Sequence, residues 1–193
     1  MEIVFATHNK HKLSEVSKML PNNDLLLSLD DINCTTDIPE TSDTIAGNAL
    51  QKANYVKDNF GRICFADDTG LEIDALKGAP GVFSARWAGE NCSYQDNINK
   101  TLFEMKGMKN RDARFKTVIA LILNNETHIF EGIIEGEITK HQIGDSGFGY
   151  DPIFKPKGYT QTFAEMPEDL KNKISHRAIA VMKLVTFLKT IYK

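Results

Sequence analysis

The sequence predicts an α/β fold, because its first third alternates short apolar runs with helix-periodic stretches and its later part carries one long hairpin pattern. Composition agrees: 193 residues that are 41% hydrophobic and 25% charged are ordinary for a globular protein, which excludes a disordered or fibrous chain. At about 150 residues per domain, the length corresponds to one domain. A chain of this size buries about 70% of its unfolded surface and needs no disulfide or metal staple to fold.

The elements follow in order. Ile3 to Ala6 is a short apolar run that reads as a buried strand. Thr7-His8-Asn9 breaks it and can cap a helix from about Lys10 to Leu20, with Leu13, Val16 and Leu20 on one face. Pro21 to Asp24 stops that helix, and Leu25 to Leu29 reads as a second strand. Asp30 to Asp43 is polar and irregular, and a second helix runs from about Thr44 to Asn59, with Ile45, Ala49, Lys52, Ala53 and Val56 at helical spacing. Gly61 ends it before a short strand, Ile63 to Ala66. Asp67 to Glu90, rich in Gly, Pro and Asp, reads as a functional loop region around a short strand, Leu71 to Ile73. Ser93 to Met105 is a helix. Ala113 to Leu123 and His128 to Thr139 flank the turn Asn124-Asn125-Glu126 as a hairpin. Gly144 to Tyr150 reads as a binding loop, and a last helix from about His176 to Tyr192 carries Val181, Leu184, Val185, Leu188 and Ile191 as its apolar stripe. No repeat, low-complexity tract or linker divides the chain, so 1–193 is read as a single domain.

Several function classes are disfavoured. Lys and Arg total 23 against 26 Asp and Glu, a net charge of −3, which is wrong for a non-specific nucleic-acid coat. Cys34, Cys64 and Cys92 are an odd set without a CxxC pair, so neither a disulfide framework nor a structural zinc site is indicated. No basic segment precedes an apolar one at the start, and the longest apolar run, Val118 to Leu123, is far below the roughly 20 residues that span a bilayer. The expectation is a cytoplasmic protein without a membrane partner.

Four clusters can carry chemistry. Thr7-His8-Asn9-Lys10-His11-Lys12 lies at a helix start, where unpaired backbone N–H groups favour an anion such as phosphate. Two lysines in that turn oppose the helix dipole unless an anion sits nearby; a plain cap with solvated lysines is the alternative. In Phe65-Ala66-Asp67-Asp68-Thr69-Gly70, adjacent carboxylates at the end of an apolar strand suit a hard cation or proton chemistry, and Glu40 is a plausible further ligand. An Asp-rich turn is the alternative there. Gly147-Phe148-Gly149-Tyr150-Asp151 combines close backbone approach with rings that can stack on a nucleobase, or forms a core aromatic strand. In Lys171 to Arg177, Ser175 is a natural helix cap, and His176 and Arg177 can donate to a base carbonyl or a phosphate. Together these are parts for binding Mg²⁺, a triphosphate and a nucleobase.

In order along the chain, these segments resemble the inosine/xanthosine triphosphate pyrophosphatases, which remove non-canonical purine nucleotides. The resemblance rests on Ala6-Thr7 with Asn9 and Lys12, Glu40-Thr41, Asn48-Ala49, Lys52-Ala53 and Ala66 to Leu71. It continues through Gly78-Ala79-Pro80-Gly81, Ser84-Ala85-Arg86, Gly147 to Pro152 and Ile174 to Arg177. It implies an elongated mixed sheet with flanking helices, two lobes around a substrate cleft and a homodimer. It also implies Asp68 as proton acceptor and metal contact, with Glu40 at the metal site and Asp67 either a ligand or a structural acid. Thr7 to Lys12, that is Thr7, His8, Asn9, Lys10, His11 and Lys12, would bind the triphosphate together with Lys52. Thr69 stands where many members carry Ser. Phe148, Gly149, Tyr150 and Asp151, with the pair His176 and Arg177, match the purine-recognising segments, and Lys171 matches a further substrate-contacting lysine. His8 departs from the small residue, often Gly, at the matching position.

The implied reaction cleaves a nucleoside triphosphate (ITP, dITP or XTP) between its α and β phosphates with Mg²⁺, giving the monophosphate and pyrophosphate. Two other readings compete: a non-catalytic nucleotide sensor, which has no need of the acids Glu40, Asp67 and Asp68, and a single-strand nucleic-acid binder, which the net charge disfavours.

Overall fold

The computed structural model describes residues 2–20 and 26–191. Its elements begin β1 (Ile3–Phe5), α1 (Lys10–Met19), β2 (Leu26–Leu27), α2 (Ile45–Phe60), β3 (Cys64–Ile73) and β4 (Pro80–Gly81). They continue α3 (Tyr94–Glu104), β5 (Asp112–Leu123), β6 (Glu126–Ile138), β7 (Phe154–Pro156), α4 (Glu168–Ile174) and α5 (His176–Ile191). The strands form a mixed sheet in the order β2-β1-β3-β5-β6-β7, with β4 paired to β3. β1 is parallel to β2 and β3, whereas β3–β4 and β6–β7 are antiparallel. The α/β class read from the sequence is the observed one.

Most elements lie within a residue or two of their expected bounds. The turn between β5 and β6 places Asn124 and Asn125 both at positive φ, 51° and 65°, the backbone that a two-residue hairpin matched to strand twist requires. Ser93 and Asp96 form a reciprocal capping box at the start of α3. Three expectations need correction. The segments Ile63–Ala66 and Leu71–Ile73 are one ten-residue strand, β3, that runs straight through Asp67-Asp68-Thr69-Gly70. Aspartate and glycine disfavour strands by propensity, but burial with charged partners overrides that here. Residues 168–174, unassigned in the sequence, form α4, and the irregular stretch after Leu29 contains a single helical turn, Asp30–Ile32. The helix stop at Pro21 to Asp24, the strand residue Leu25 and the end of the last helix at Tyr192 lie outside the described residues.

The chain divides into two compact units. The first comprises Met1–Asp68, Thr117–Gly132 and Arg177–Lys193. Within it, the two faces of β3 are separated by the period-2 alternation of a strand. Cys64 and Ala66 pack with Ala49, Ala53 and Val56 of α2. Phe65 packs on the opposite side with Val16 of α1 and with Ala180, Val181 and Leu184 of α5. The second unit comprises Thr69–Lys116 and Ile133–His176. Its core is aromatic: Phe115 meets Phe154 edge-on at 4.6 Å and stacks on the His176 ring at 4.5 Å, with Leu71, Ile73, Ile153 and Phe163 around them.

Candidate active site

In the first unit the chemistry starts where β1 turns into α1. Asn9 caps the helix, its Oδ1 accepting from the backbone N–H groups of His11 at 3.0 Å and Lys12 at 3.2 Å, while Thr7 Oγ1 accepts from Asn9 N–H. No acid lies in the first turn of α1 to balance the positive helix end. Lys10 and His11 are exposed, and His8 reaches across to the Thr36 carbonyl through Nε2 at 3.0 Å. Lys12 turns inward.

The alternation of β3 decides the fate of its two acids. Asp67 shares the face of Phe65, toward α1 and α5. There its Oδ1 accepts from the Lys12 ammonium at 2.9 Å, and its Oδ2 accepts from Arg177 Nε at 3.1 Å. Arg177 Nη1 in turn donates to Glu15 of α1. Burial opposes the charge on Asp67, but Lys12 and Arg177 hold its carboxyl well below the ordinary carboxylate range. Burial holds the Lys12 ammonium below its ordinary value despite Asp67, with Lys52 and Arg177 acting in the same direction as burial. Arg177 is lifted above its ordinary value: burial opposes this, and the two carboxylates outweigh it.

Asp68 shares the face of Cys64 and Ala66, toward α2. Its Oδ2 accepts from Asn48 Nδ2 at 3.2 Å, and its Oδ1 lies 4.0 Å from the Lys52 ammonium. Lys52 also donates to Glu40, so two carboxylates converge on one buried cation. Burial alone would depress Lys52, yet Glu40 and Asp68 raise it. Glu40 is brought there by a loop folded onto α2: Thr41 N–H donates to Gln51 Oε1 and Ser42 N–H to Asn48 Oδ1. The fold-back needs Gly47 in the first turn of α2, because an added Cβ would overlap Ser42.

The second unit holds the remaining candidates. Asp151 is buried; its Oδ2 accepts from the Lys171 ammonium at 2.7 Å and from Phe148 N–H at 2.8 Å. Gly147, at φ +80°, permits that turn, since a Cβ there would overlap the same carboxylate. The Lys171 ammonium lies 4.8 Å from the Phe148 ring centre, within cation–π range. Tyr150 is buried, donates to the Ser84 carbonyl at 2.7 Å, and has its phenol pushed above the ordinary value by burial. Phe148 and Gly149 are the half-exposed members of the loop. Thr69 is half-buried, and His176 is stacked beneath Phe115.

The structure therefore gathers Lys12, Glu40, Lys52, Asp67, Asp68 and Arg177 in the first unit, and Phe148, Asp151 and Lys171 in the second. Of the acids expected at a metal, Glu40 and Asp68 meet at Lys52, whereas Asp67 pairs with Lys12 and Arg177, the position of a structural acid. Among the described residues no three His, Cys, Asp or Glu side chains group to hold a metal, and Asp67 is turned to the other face of β3 by strand alternation. Glu15 and Asn48 join the site as residues that sequence reasoning misses. Asn48 stands in the Asn48-Ala49 motif, while Glu15, one turn beyond Lys12 on α1, carries no sequence signal beyond that spacing.

The Ham1 family model matches residues 3–187. A dITP/XTP pyrophosphatase of Flavobacterium johnsoniae is 55% identical over 97% of this chain and 98% of its own length. The Ham1 protein of Staphylococcus aureus has a solved structure that superposes with a TM-score of 0.90 at 36% identity, covering 99% of this chain and 100% of that one. A HAM1 protein from Coxiella burnetii gives 0.91 at 39% identity, with coverages of 98% and 99%.

Proposed function

The chain belongs to the Ham1 family, and on that premise we propose that it hydrolyses non-canonical purine nucleoside triphosphates such as dITP and XTP. It is a nucleoside-triphosphate pyrophosphatase, releasing the monophosphate and pyrophosphate. The observation that carries this reading is the convergence of Glu40 and Asp68 on the Lys52 ammonium, beside a cationic helix start. Two acids around one positive charge fit a hard divalent cation, which takes a few carboxylate oxygens and completes its shell with phosphate oxygens. Mg²⁺ held by Glu40 and Asp68 would supply neutralisation of the phosphate charge.

The chain's own residues do the rest. Asp68 accepts the proton of the attacking water, with Asn48 orienting the carboxylate. Lys12 and Lys52, at the positive end of the α1 dipole, hold the phosphates in line. In the second unit, Phe148 offers a ring face and Gly149 bare backbone to the base, held by Asp151 and Lys171. Selectivity for a 6-oxo purine follows from donors facing O6, among them His176, which an adenine amino group leaves unpaired. We read 1–193 as one such domain, acting in the cytoplasm as a homodimer; no helix among the described residues is long and apolar enough to cross a membrane.

A Mg²⁺-dependence panel over ITP, dITP, XTP, GTP and ATP tests the reading. Pyrophosphate and monophosphate from the first three are expected; orthophosphate with the diphosphate, or binding without turnover, overturns it.

A further inference from the structure

We propose that Glu15 is a positioning residue of the phosphate-binding centre, acting through Arg177 and Asp67 on the ammonium of Lys12. The inference rests on the function proposed above and adds a residue to it. Along the α1/α5 face of β3, charges alternate in an unbroken series: Lys12 to Asp67 at 2.9 Å, Asp67 to Arg177 at 3.1 Å, and Arg177 to Glu15. The series is neutral in sum. It also closes on itself, because Lys12 and Glu15 are three residues apart on α1, so the helix supports both ends.

Burial of such a series is not needed for stability, since apolar replacements of buried ion networks are often as stable or more so. Its asymmetry points instead to the site. The side chains of Asp67, Arg177 and Glu15 are 1%, 2% and 9% exposed, whereas that of Lys12 is 14% exposed. The most open member is thus the ammonium beside the helix start, where a phosphate would arrive. Asp67 has to serve two cations. Glu15 takes up part of the guanidinium's demand, which leaves Asp67 Oδ1 for Lys12 and fixes the ammonium against the strand that carries Asp68. With Glu15 neutral, Arg177 would draw Asp67 toward itself, and Lys12 would lose its anchor. Arg177 thereby acquires a task at the phosphate end of the nucleotide.

The experiment measures tripolyphosphate binding by calorimetry, with KM and kcat for dITP, in the full chain and in Glu15→Gln. The expected result is about tenfold weaker tripolyphosphate binding and a matching rise in KM, with kcat little changed, as for loss of a supporting partner. Inhibition by inosine, which has no phosphate, should be unchanged. In a Lys12→Met background the same substitution should alter tripolyphosphate binding by less than about twofold, because the two act in series. Equal tripolyphosphate affinity in the folded variant, weakening that extends equally to inosine, or additive effects with Lys12→Met would each overturn the proposal. Should Glu15→Gln fail to fold, Glu15→Asp shortens the reach; about threefold weaker tripolyphosphate binding is expected, and unchanged affinity overturns the proposal. A wild-type chain that binds tripolyphosphate but releases no pyrophosphate would refute the proposed function and leave the binding comparison intact.

Discussion

The two faces of β3 carry adjacent aspartates to opposite ends of electrostatic design. Toward α1 and α5, Asp67 is sealed, neutralised on both oxygens and joined to Glu15 through Arg177. Toward α2, Asp68 sits among an amide, an ammonium and a half-exposed Glu40, with acids and cation drawn together. One face resembles a finished ion network, the other a set of charges arranged for a visitor. Neighbours in sequence with the same side chain thus acquire different tasks, one anchoring a lysine and the other facing the reaction, and the strand's twofold alternation makes the division.

The sharpest way to break this comparison is to treat the two aspartates alike. Asp68→Asn should lower kcat by about 10²- to 10⁴-fold, the usual range for a lost general base, with thermal unfolding little changed. Pyrophosphate release and a melting curve on one preparation test both halves. Asp67→Asn should do the reverse first: it leaves two buried cations short of a countercharge, and loss of one partner from a buried pair removes about 3–5 kcal/mol of stability. Denaturant unfolding measures that loss, and a variant as stable as the parent would erase the distinction between the faces. Asn48→Ala removes the amide from Asp68 and an acceptor from Ser42 N–H, and should destabilise by about 1–3 kcal/mol; it should also lower kcat by less than Asp68→Asn does. The smallest effect concerns Cys64, on the α2 face, where burial pushes the thiol up to about 12 and its Sγ–H donates to the Ala53 carbonyl. The native protein binds more protons there than the unfolded chain between its ordinary value and about 12, so stability should fall as pH rises through that window. Cys64→Ala should flatten the slope, and iodoacetamide at pH 8 should spare Cys64 in the folded protein.

Some of this was legible in the sequence for physical reasons. Asn124-Asn125 between two apolar runs can hardly be other than a tight turn, and the helix stripes of α2 and α5 declare their buried faces. β3 was harder: Asp67 to Gly70 look like a loop by propensity, because nothing local reveals that Lys12, Arg177 and Asn48 will satisfy them. Once the strand is read as broken there, alternation no longer separates Asp67 from Asp68, and both fall into one metal set. Glu15 shows the limit from another side. Its partner Arg177 lies 162 residues away, and the pairing exists only when α1 and α5 meet. In α4, a proline followed by short polar turns offers no apolar period to read.

The first unit is assembled from three separated stretches of chain, and the last of them brings Arg177. On a ribosome, Lys12 and Asp67 are both made long before the guanidinium that completes their circuit. Until residue 177 emerges, Asp67 has Lys12 as a countercharge but lacks its second, and the α1/α5 side of β3 lacks Ala180, Val181 and Leu184 as its cover. A nascent chain interrupted within the final helix would therefore carry Glu40 and Asp68 and still leave the opposite face of β3, the one that holds Asp67, without its full cover. The acids of the first unit are encoded early, and the cover for the far face of β3 comes only with the last of its three stretches.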